Sequence, residues 1–208
     1  QEQYGTLAAA TLADIIAKNY GLSRRDLDAY TVRDHTRAMD AIREKRIQEG
    51  VVPLTFKRGK TEVTEGADEL PRVAALEELM AMTPINKDGT ATAANVAPWA
   101  DGAASLIMMS AQRAEELGCK ALSKMIGFGI AAGHPALLER TTLRSIQKAL
   151  AQCGLAIEDM DFLNIHTPSA AYGLALEDIL GKLAAGRMNP DGSSLASDMP
   201  ALQPGESW

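Results

Sequence analysis

The sequence predicts an α/β fold in which a parallel or mixed sheet is covered by helices and preceded by a mostly helical segment. In the second half of the chain, apolar runs at 103–109 and 121–132 alternate with segments of helical spacing. Alternation of this kind is typical of a helix-covered sheet. Residues 1–83 are dominated by helical spacing and polar loops, which indicates an insertion or a cap rather than part of the sheet.

Two helices are predicted first along the chain. Residues 7–20 carry apolar side chains at helical spacing, and Gly21 supplies a common C-terminal cap. Ser23 begins the second helix, because Asp26 stands three residues later in the capping-box position. A β-like stretch, a polar loop and a short helix come next, at 51–56, 57–71 and 73–82.

The later elements alternate between strand-like and helical patterns. The runs at 103–109 and 121–132 are interpreted as buried strands, because each is a nearly continuous series of apolar residues. The other predicted elements are helices at 111–117, 144–153 and 170–185, and short β-compatible stretches at 90–94 and 161–165. Together these elements would build one helix-covered sheet.

Composition and charge argue against several classes of function. A formal net charge of −6 argues against nucleic-acid binding, which needs clustered Lys and Arg. No apolar run reaches the roughly 18 residues that a membrane span requires. Cys119 and Cys153 have no metal-ligand spacing, so no metal site is predicted. Two isolated cysteines fit an intracellular, reducing compartment, either the mitochondrial matrix or the cytoplasm.

Four stretches of the sequence occur in the order and spacing of one known family. They read IAKNYGLSR at 16–24, DAYTVRDHTRA at 28–38, DGTATAAN at 88–95 and DGAASLIMMS at 101–110. They resemble VAKKYGISR, DAFALRSHQRA, DGTVTAGN and NDGAAALLLMS, which are motifs of the thiolases, above all of the degradative 3-ketoacyl-CoA thiolases. One such match would be weak, but the ordered series is specific.

The resemblance implies a partial thiolase fold. Thiolases consist of two similar halves, with a loop domain inserted in the first half. On this basis residues 1–83 correspond to a loop-domain segment, 84–120 to the end of the N-terminal half, and 121–208 to an incomplete C-terminal half. A partial sheet would expose strand edges and an apolar face. We therefore expect the chain to be bound by other protein subunits as an obligate part of a larger assembly.

The chemistry of the family depends on two cysteines. One cysteine thiolate becomes acylated, and a second cysteine moves a proton on the acetyl group. Only the thiolate is nucleophilic, so thiolases place the histidine of a Gly-His-Pro motif beside it. Neither reactive cysteine has a counterpart in this chain. Cys119 and Cys153 are interpreted as small packing residues, the usual role of an isolated free cysteine.

A Gly-His-Pro sequence occurs at 133–135, but in the wrong place for the family. The matching segment is MNPDGSSLASDMP at 188–200, which resembles the family pattern VNxxGGAIALGHP. On that register Met199 replaces the catalytic histidine, and a thioether cannot take up a proton. His134 is therefore predicted to be an exposed loop residue.

His166 is the candidate catalytic residue. It falls at the first position of the HEAF variant of the family's NEAF motif, where the side chain helps to shape an oxyanion hole. The following Glu, Ala and Phe are replaced by Thr167, Pro168 and Ser169. The alternative is that His166 is a strand-end histidine left from an ancestral site.

Further departures concern the coenzyme A channel. Residues 95–99 read NVAPW, where the family has small hydroxyl side chains that line the pantetheine channel. No cofactor is therefore predicted, with a coenzyme A thioester as ligand only if the site is functional. Trp99 packs either against a partner surface or within the core or its own loop. His35, on the apolar face of the second helix, is interpreted as structural.

Two functions remain open at this point. The main interpretation is a degenerate thiolase-like protein that serves as a non-catalytic structural or interaction subunit of a larger assembly. The alternative is a subunit or fragment of an active 3-ketoacyl-CoA thiolase of fatty-acid oxidation, completed by residues outside this chain. The changes at Met199, Thr167 and Val96 favour the first, because they fall in three parts of one site.

Overall fold

The computed structural model describes residues 8–181, 186–197 and 199–200, with the backbone alone described at 197, 199 and 200. The helices, numbered in chain order, are α1 (Ala9–Tyr20), α2 (Arg24–Arg43), α3 (Leu76–Met80), α4 (Ala111–Glu116), α5 (Leu138–Cys153), α6 (Ala170–Leu180) and α7 (Ser194–Ser197). The strands are β1 (Leu54–Arg58), β2 (Thr61–Glu65), β3 (Trp99–Ala100) and β4 (Met199–Pro200). Single 3-10 turns lie at Gln48–Gly50, Pro135–Leu137 and Ile157–Asp159. Within the described ranges, no helix is long and apolar enough to cross a membrane.

The junction between α1 and α2 folds as predicted. α1 ends at Gly21, which adopts the left-handed conformation with a φ of 63°, where a residue without a Cβ carries no steric cost. α2 begins with the capping box. The Asp26 N–H donates to Ser23 Oγ at 3.3 Å, and the Ser23 N–H donates to the Asp26 carboxylate at 2.8 Å. The predicted start of α1 at residue 7 lies outside the described residues.

A core forms where α1, α2 and α6 pack together, with α5 also packed on α6. Its buried members include Ile16 from α1, Tyr30 from α2 and Leu176 from α6. α6 approaches α2 closely because residue 173 is glycine, and a Cβ on Gly173 would collide with the Tyr30 ring. The two N-terminal helices therefore share one core with α6.

The prediction of buried strands at 103–109 and 121–132 is wrong. In the described part of the chain neither segment has a β-ladder partner, and their large apolar side chains are exposed, with Leu106 at 87% and Leu122 at 97%. A strand needs a neighbouring strand to take up its N–H and C=O groups. An apolar run indicates that a segment is suited to burial, but it does not say whether the neighbour belongs to the same chain.

Helix α5 supplies some of the missing hydrogen bonds along 121–132. Ser145 Oγ donates to the Gly129 carbonyl at 2.5 Å, and the Phe128 N–H donates to Gln152 Oε1 at 2.8 Å. A Cβ on Gly129 would collide with the α5 backbone, so the glycine permits this approach. The segment is thus held against a helix by side chains, where a sheet would hold it by a strand.

Paired strands occur elsewhere and are short. β1 and β2 form an antiparallel hairpin, which falls largely inside the loop predicted at 57–71. β3 and β4 pair in parallel. The strand predicted at 161–165 is reduced to one parallel bridge between Leu163 and Met188, and no strand forms at 90–94.

Several predicted helices differ in length from the observed ones. The helix predicted at 73–82 is observed as the shorter α3, Leu76–Met80. α5 begins at Leu138, ahead of the predicted 144–153, because a 3-10 turn at Pro135–Leu137 leads directly into it. The helix predicted at 170–185 corresponds to α6, which ends at Leu180. Of the remaining predicted positions, 182–185 lie outside the described residues.

Asp14 on α1 anchors the turn that contains Asp88 and Gly89. Its Oδ1 accepts the N–H groups of Thr90 at 2.7 Å and Ala91 at 2.9 Å, and its Oδ2 accepts from Asn86 Nδ2 at 2.8 Å. Burial opposes the charge of Asp14, but these hydrogen bonds outweigh it and hold the pKa of the carboxyl below its ordinary value. The turn is therefore tied to α1 by an ionised side chain.

Replacing Asp14 with alanine is expected to lower the free energy of unfolding by about 2 kcal/mol at pH 7, the usual size of a lost hydrogen bond to a charged group. Because the pKa is lower in the folded state, the contribution is complete above the unfolded value of about 3.9 and disappears as the pH falls through the folded value. Urea unfolding from pH 7 to pH 3 should therefore show the gap between wild type and variant closing. Asp68→Ala, at an exposed aspartate, serves as the control, and a gap that stays constant with pH would contradict the prediction.

Candidate functional site

His166 lies on the connection between a short β bridge and helix α6. Before it, the Leu163 N–H donates to the Arg187 carbonyl at 2.9 Å, and the Leu163 carbonyl accepts from the Asn189 N–H at 2.8 Å. After it, Ser169 caps α6, because its hydroxyl accepts the N–H of the third residue beyond it at 3.2 Å. His166 is therefore carried on a backbone that is fixed at both ends.

The side chain of Asn189 binds the residues on either side of His166. Its Oδ1 accepts the Ile165 N–H at 2.8 Å, and its Nδ2 donates to the Ile165 carbonyl and to Thr167 Oγ1, both at 3.0 Å. Asn189 is 1% exposed, so water cannot replace these bonds if they are lost. One buried amide thus sets the conformation of the His166 backbone.

Ser194, the first residue of α7, also binds Thr167, the residue that follows His166. Its hydroxyl accepts the Thr167 N–H at 2.9 Å and donates to the Thr167 carbonyl at 2.8 Å. Thr167 is fully buried, and its own hydroxyl donates to the Ile165 carbonyl at 3.0 Å. Both polar groups of the Thr167 backbone and its side chain are therefore engaged.

The loop that ends the 88–95 motif runs beside the same connection. The Ala97 N–H donates to the Pro168 carbonyl at 3.0 Å, and the Ala170 N–H donates to the Asn95 carbonyl at 2.9 Å. An antiparallel bridge joins the two segments between these bonds. β3 continues this loop and pairs with β4.

The structure brings together the three segments that depart from the thiolase motifs. Val96 pairs with the residue that caps α6, Thr167 bonds to Ser194, and the backbone of Met199 pairs with that of Trp99. The side chain of Met199 lies outside the described residues. Changes that are far apart in the sequence are therefore neighbours in the fold.

His166 opens into a polar pocket of about 320 Å³. The pocket is lined by Asn164, Ile165, His166, Asn189, Gly192, Ser193 and Ser194. The imidazole is exposed in this pocket, but its partial burial lowers the pKa of His166 below the ordinary value of 6.5. At pH 7 it is therefore neutral, with one N–H donor and one acceptor nitrogen.

The other two histidines have structural contacts. His134 is exposed, as predicted, and its Nδ1 accepts the Ala136 N–H at 3.2 Å at the start of a 3-10 turn. His35 is half-buried on α2, and its Nδ1 accepts the Arg72 N–H at 3.3 Å. Burial, with a smaller effect of Arg72, lowers the pKa of His35. The contact with Arg72 agrees with the structural interpretation of His35.

The two cysteines lie in different environments. Cys119 is exposed, so the prediction that it is a packing residue is wrong; it precedes the exposed segment 121–132, which gives it nothing to pack on. Cys153 is half-buried, and its thiol donates to the Ile126 carbonyl at 3.3 Å, in agreement with a packing role. Trp99 is 63% exposed, which excludes the interpretation that it packs within its own loop.

Three residues of this site were missed by sequence reasoning: Asn189, Ser194 and Asp34. Asn189 begins a turn that ends at Gly192, whose φ is 85°, and two serines follow directly in a typical helix-start pattern. These features could have indicated an ordered loop. Asp34 gave no local signal, because its bonding partner Ser193 lies 159 residues away in the sequence.

The helices and short strands form a partial α/β fold, and the His166 pocket lies at the start of α7. Among the described residues, no group of three or more His, Cys, Asp or Glu side chains could hold a metal ion. The family model "Thiolase, N-terminal domain" matches residues 1–112, which is more than half of the chain. The chain therefore belongs to the thiolase family.

Similar proteins are named as acetyl-CoA acetyltransferases or as 3-ketoacyl-CoA thiolases. The acetyl-CoA acetyltransferase of Syntrophomonas wolfei is 32% identical over 170 residues, which cover 81% of this chain and 43% of that protein. The crystal structure of the Bacillus anthracis acetyl-CoA acetyltransferase superposes with a TM-score of 0.87 at 32% identity, over 92% of this chain and 49% of that one. Human mitochondrial 3-ketoacyl-CoA thiolase gives a TM-score of 0.85 at 28% identity, over 91% of this chain and 48% of that one. The chain thus spans about half the length of the proteins it resembles.

Proposed function

We propose that this chain is part of a thiolase-type acyltransferase that acts on acyl-CoA thioesters, with the reactive cysteines supplied by residues outside the chain. One observation carries the proposal: Asn189 and Ser194 fix the backbone on either side of His166, which lines an open polar pocket. Support also comes from the comparisons, because the similar proteins are named as acetyl-CoA acetyltransferases and 3-ketoacyl-CoA thiolases. The comparisons thus favour the active alternative over the non-catalytic interpretation.

The proposed role of His166 is to donate a hydrogen bond to the thioester carbonyl oxygen. In thiolysis of a 3-ketoacyl-CoA, a cysteine thiolate attacks the ketone carbonyl and becomes acylated as the carbon–carbon bond breaks. The leaving group is the acetyl-CoA enolate, whose thioester oxygen gathers negative charge. A second cysteine protonates its carbon, and the thiol of coenzyme A then takes the acyl group. A neutral imidazole with a fixed backbone suits this task, because a donor aimed in advance at developing charge needs no reorganisation.

The test is acetoacetyl-CoA thiolysis by the complex or longer polypeptide in which the chain occurs. Turnover is expected, and His166→Ala should lower kcat by about 10²- to 10³-fold, the usual effect of losing one oxyanion-hole donor. His134→Ala changes an exposed histidine outside the pocket and should leave turnover unchanged. Absence of turnover, or equal loss in both variants, would refute the catalytic proposal.

A specific observation keeps the non-catalytic function as a second candidate. Thr167 stands where the family has a glutamate, and its hydroxyl is buried and fully engaged with Ile165 and Asn189. No carboxylate is therefore available at that position. On this second candidate, the same assay would show no turnover, while equilibrium dialysis could still detect binding of coenzyme A.

The proposal includes a partner surface made of the segments 103–109 and 121–132. Large apolar side chains of both segments are mostly exposed, among them Leu106 and Ile107 in the first and Leu122 and Ile130 in the second. Contiguous exposed apolar surface of this kind is usual at interfaces. The occupant that fits is the remainder of a thiolase-type sheet, because extended apolar segments without neighbours are completed by further strands.

The division of the chain follows from the same proposal. Residues 1–83 would form a loop-domain segment, 84–120 the end of the N-terminal half and 121–208 an incomplete C-terminal half. Completion by other strands would cover the last two of these units. A reducing compartment, the mitochondrial matrix or the cytoplasm, remains the prediction for where the protein works, and a redox-sensitive thiol assay of Cys119 in cells would test it.

A further inference from the structure

Asp34 is a buried carboxylate on α2 that bonds to Ser193, one of the residues that line the His166 pocket. It is 2% exposed. Its Oδ2 accepts both the N–H of Ser193 at 3.1 Å and the Ser193 hydroxyl at 2.8 Å. Ser193 Oγ in turn accepts the Leu195 N–H at 3.3 Å. The carboxylate therefore fixes Ser193, the residue that directly precedes α7.

Two residues, Ser194 and Thr167, connect Ser193 to His166. Ser194 follows Ser193 directly, and its hydroxyl binds both the N–H and the carbonyl of Thr167. Thr167 follows His166 in the chain. Between the Asp34 carboxylate and the His166 backbone there are thus only short hydrogen bonds and adjacent peptide units.

Other parts of α2 hold the same turn at different points. Arg37 donates to the Met188 carbonyl at 2.8 Å. A Cβ on Gly192 would lie 2.7 Å from Ala38 Cβ, so the turn lies directly on the helix. These contacts place the turn on α2, but it is Asp34 that binds Ser193 itself.

A buried carboxylate in this place is costly, which makes a packing role a poor explanation for it. Burial raises the pKa of Asp34 despite the hydrogen bonds from Ser193 and the nearby charges of Arg37 and Arg33, and an uncharged side chain would avoid that cost. The family patterns quoted above carry Ser and Gly at positions 34 and 193. This chain therefore differs from them at both ends of the contact.

We infer that Asp34 is a positioning residue for His166: through Ser193, Ser194 and Thr167 it couples helix α2 to the backbone that carries the imidazole. The functional meaning of this coupling rests on the proposed function, since there His166 is the donor to the thioester. The structural coupling itself can be measured without any turnover.

The test uses the full chain labelled on histidine and on backbone nitrogen, with amide hydrogen exchange and the imidazole resonances as readouts. The sequence has three histidines, so His134 serves as an internal reference. In Asp34→Ala, exchange of the Ser193 and Thr167 amides is expected to accelerate about tenfold or more, because a charge-assisted bond is lost. The His166 resonance should shift or broaden, while that of His134 stays in place.

Three further variants make the test specific. Asp40→Ala, on the same helix and paired with Arg43 at the surface, should change neither readout. Ser193→Ala removes the hydroxyl from the other end and should reproduce the change at Thr167. The double variant of Asp34→Ala and Ser193→Ala should add little to Asp34→Ala alone, because both act through one contact.

The inference is overturned if Asp34→Ala leaves Thr167 exchange and the His166 resonance as in wild type. If Asp34→Ala unfolds the chain, the same readouts are taken from Asp34→Asn and Ser193→Ala. The inference is also overturned if neither variant changes Thr167 exchange or the His166 resonance. In a complex that shows turnover, Asp34→Asn should lower kcat with KM nearly unchanged. A complex without turnover would refute the proposed function. The hydrogen-exchange result would still test the positioning role of Asp34, because it does not depend on turnover.

Discussion

Replacing Asn189 with alanine is expected to lower the free energy of unfolding by about 3 kcal/mol and to release the His166 backbone. The substitution leaves the Ile165 N–H without its partner, and it removes one bond each from the Ile165 carbonyl and the Thr167 hydroxyl, which still bond to each other. A buried polar group left unpaired costs roughly 1–3 kcal/mol, and each further lost hydrogen bond costs about 1 kcal/mol. Urea unfolding measures the loss, and amide exchange at Ile165 reports the release.

The control for this prediction is Asn164→Ala. Asn164 lines the same pocket, but it is exposed, so the same chemical change should alter stability by no more than about 0.5 kcal/mol. Equal losses in the two variants would show that the buried bonds of Asn189 are not what holds this loop.

Replacing Ile107 with aspartate is expected to change stability little in the chain alone but to destabilise the completed protein strongly. Ile107 is 87% exposed, so in the isolated chain the change should cost no more than about 0.5 kcal/mol. If the segment 103–109 is covered by further strands, the same aspartate becomes a buried unpaired charge. A loss of several kcal/mol, or failure to assemble, is then expected.

Sedimentation velocity and urea unfolding, each with and without the completing polypeptide, measure this contrast. Val73→Asp provides the matched control, because Val73 is 81% exposed and lies outside the two segments. A wild-type chain that is a stable monomer and gains nothing from a completing polypeptide would refute the proposed surface. So would an assembly that tolerates Ile107→Asp as well as Val73→Asp.

Local patterns were sufficient for the elements whose interactions are local. The boundary between α1 and α2 was predicted correctly, because a glycine cap and a capping box depend on residues a few positions apart. The buried strands at 103–109 and 121–132 were not, because strand pairing is decided by a neighbour at any distance. The hairpin of β1 and β2 was partly missed for another reason, since residues 57–62 read KRGKTE and carry no apolar alternation.

The candidate site divides in the same way. Motif matching selected His166 and the departures around it, because these were visible one position at a time. It did not select Asn189, Ser194 or Asp34, whose importance lies in what they bind. The bonds from Asn189 to Ile165 span 24 residues and the bond from Asp34 to Ser193 spans 159, and no periodicity connects residues at such separations.

The sequence by itself determined the family of this protein and its helical beginning, and it selected His166 as the candidate site residue. Those conclusions rest on ordered motifs and on short-range rules of helix capping, which act within a few residues. Only the tertiary structure decided which apolar segments stay exposed and that the three altered segments are neighbours. It also showed that the Asp34 carboxylate on α2 binds Ser193 in the lining of the pocket. These are properties of contacts between distant segments, and burial and hydrogen bonding between such segments exist only once the chain has folded.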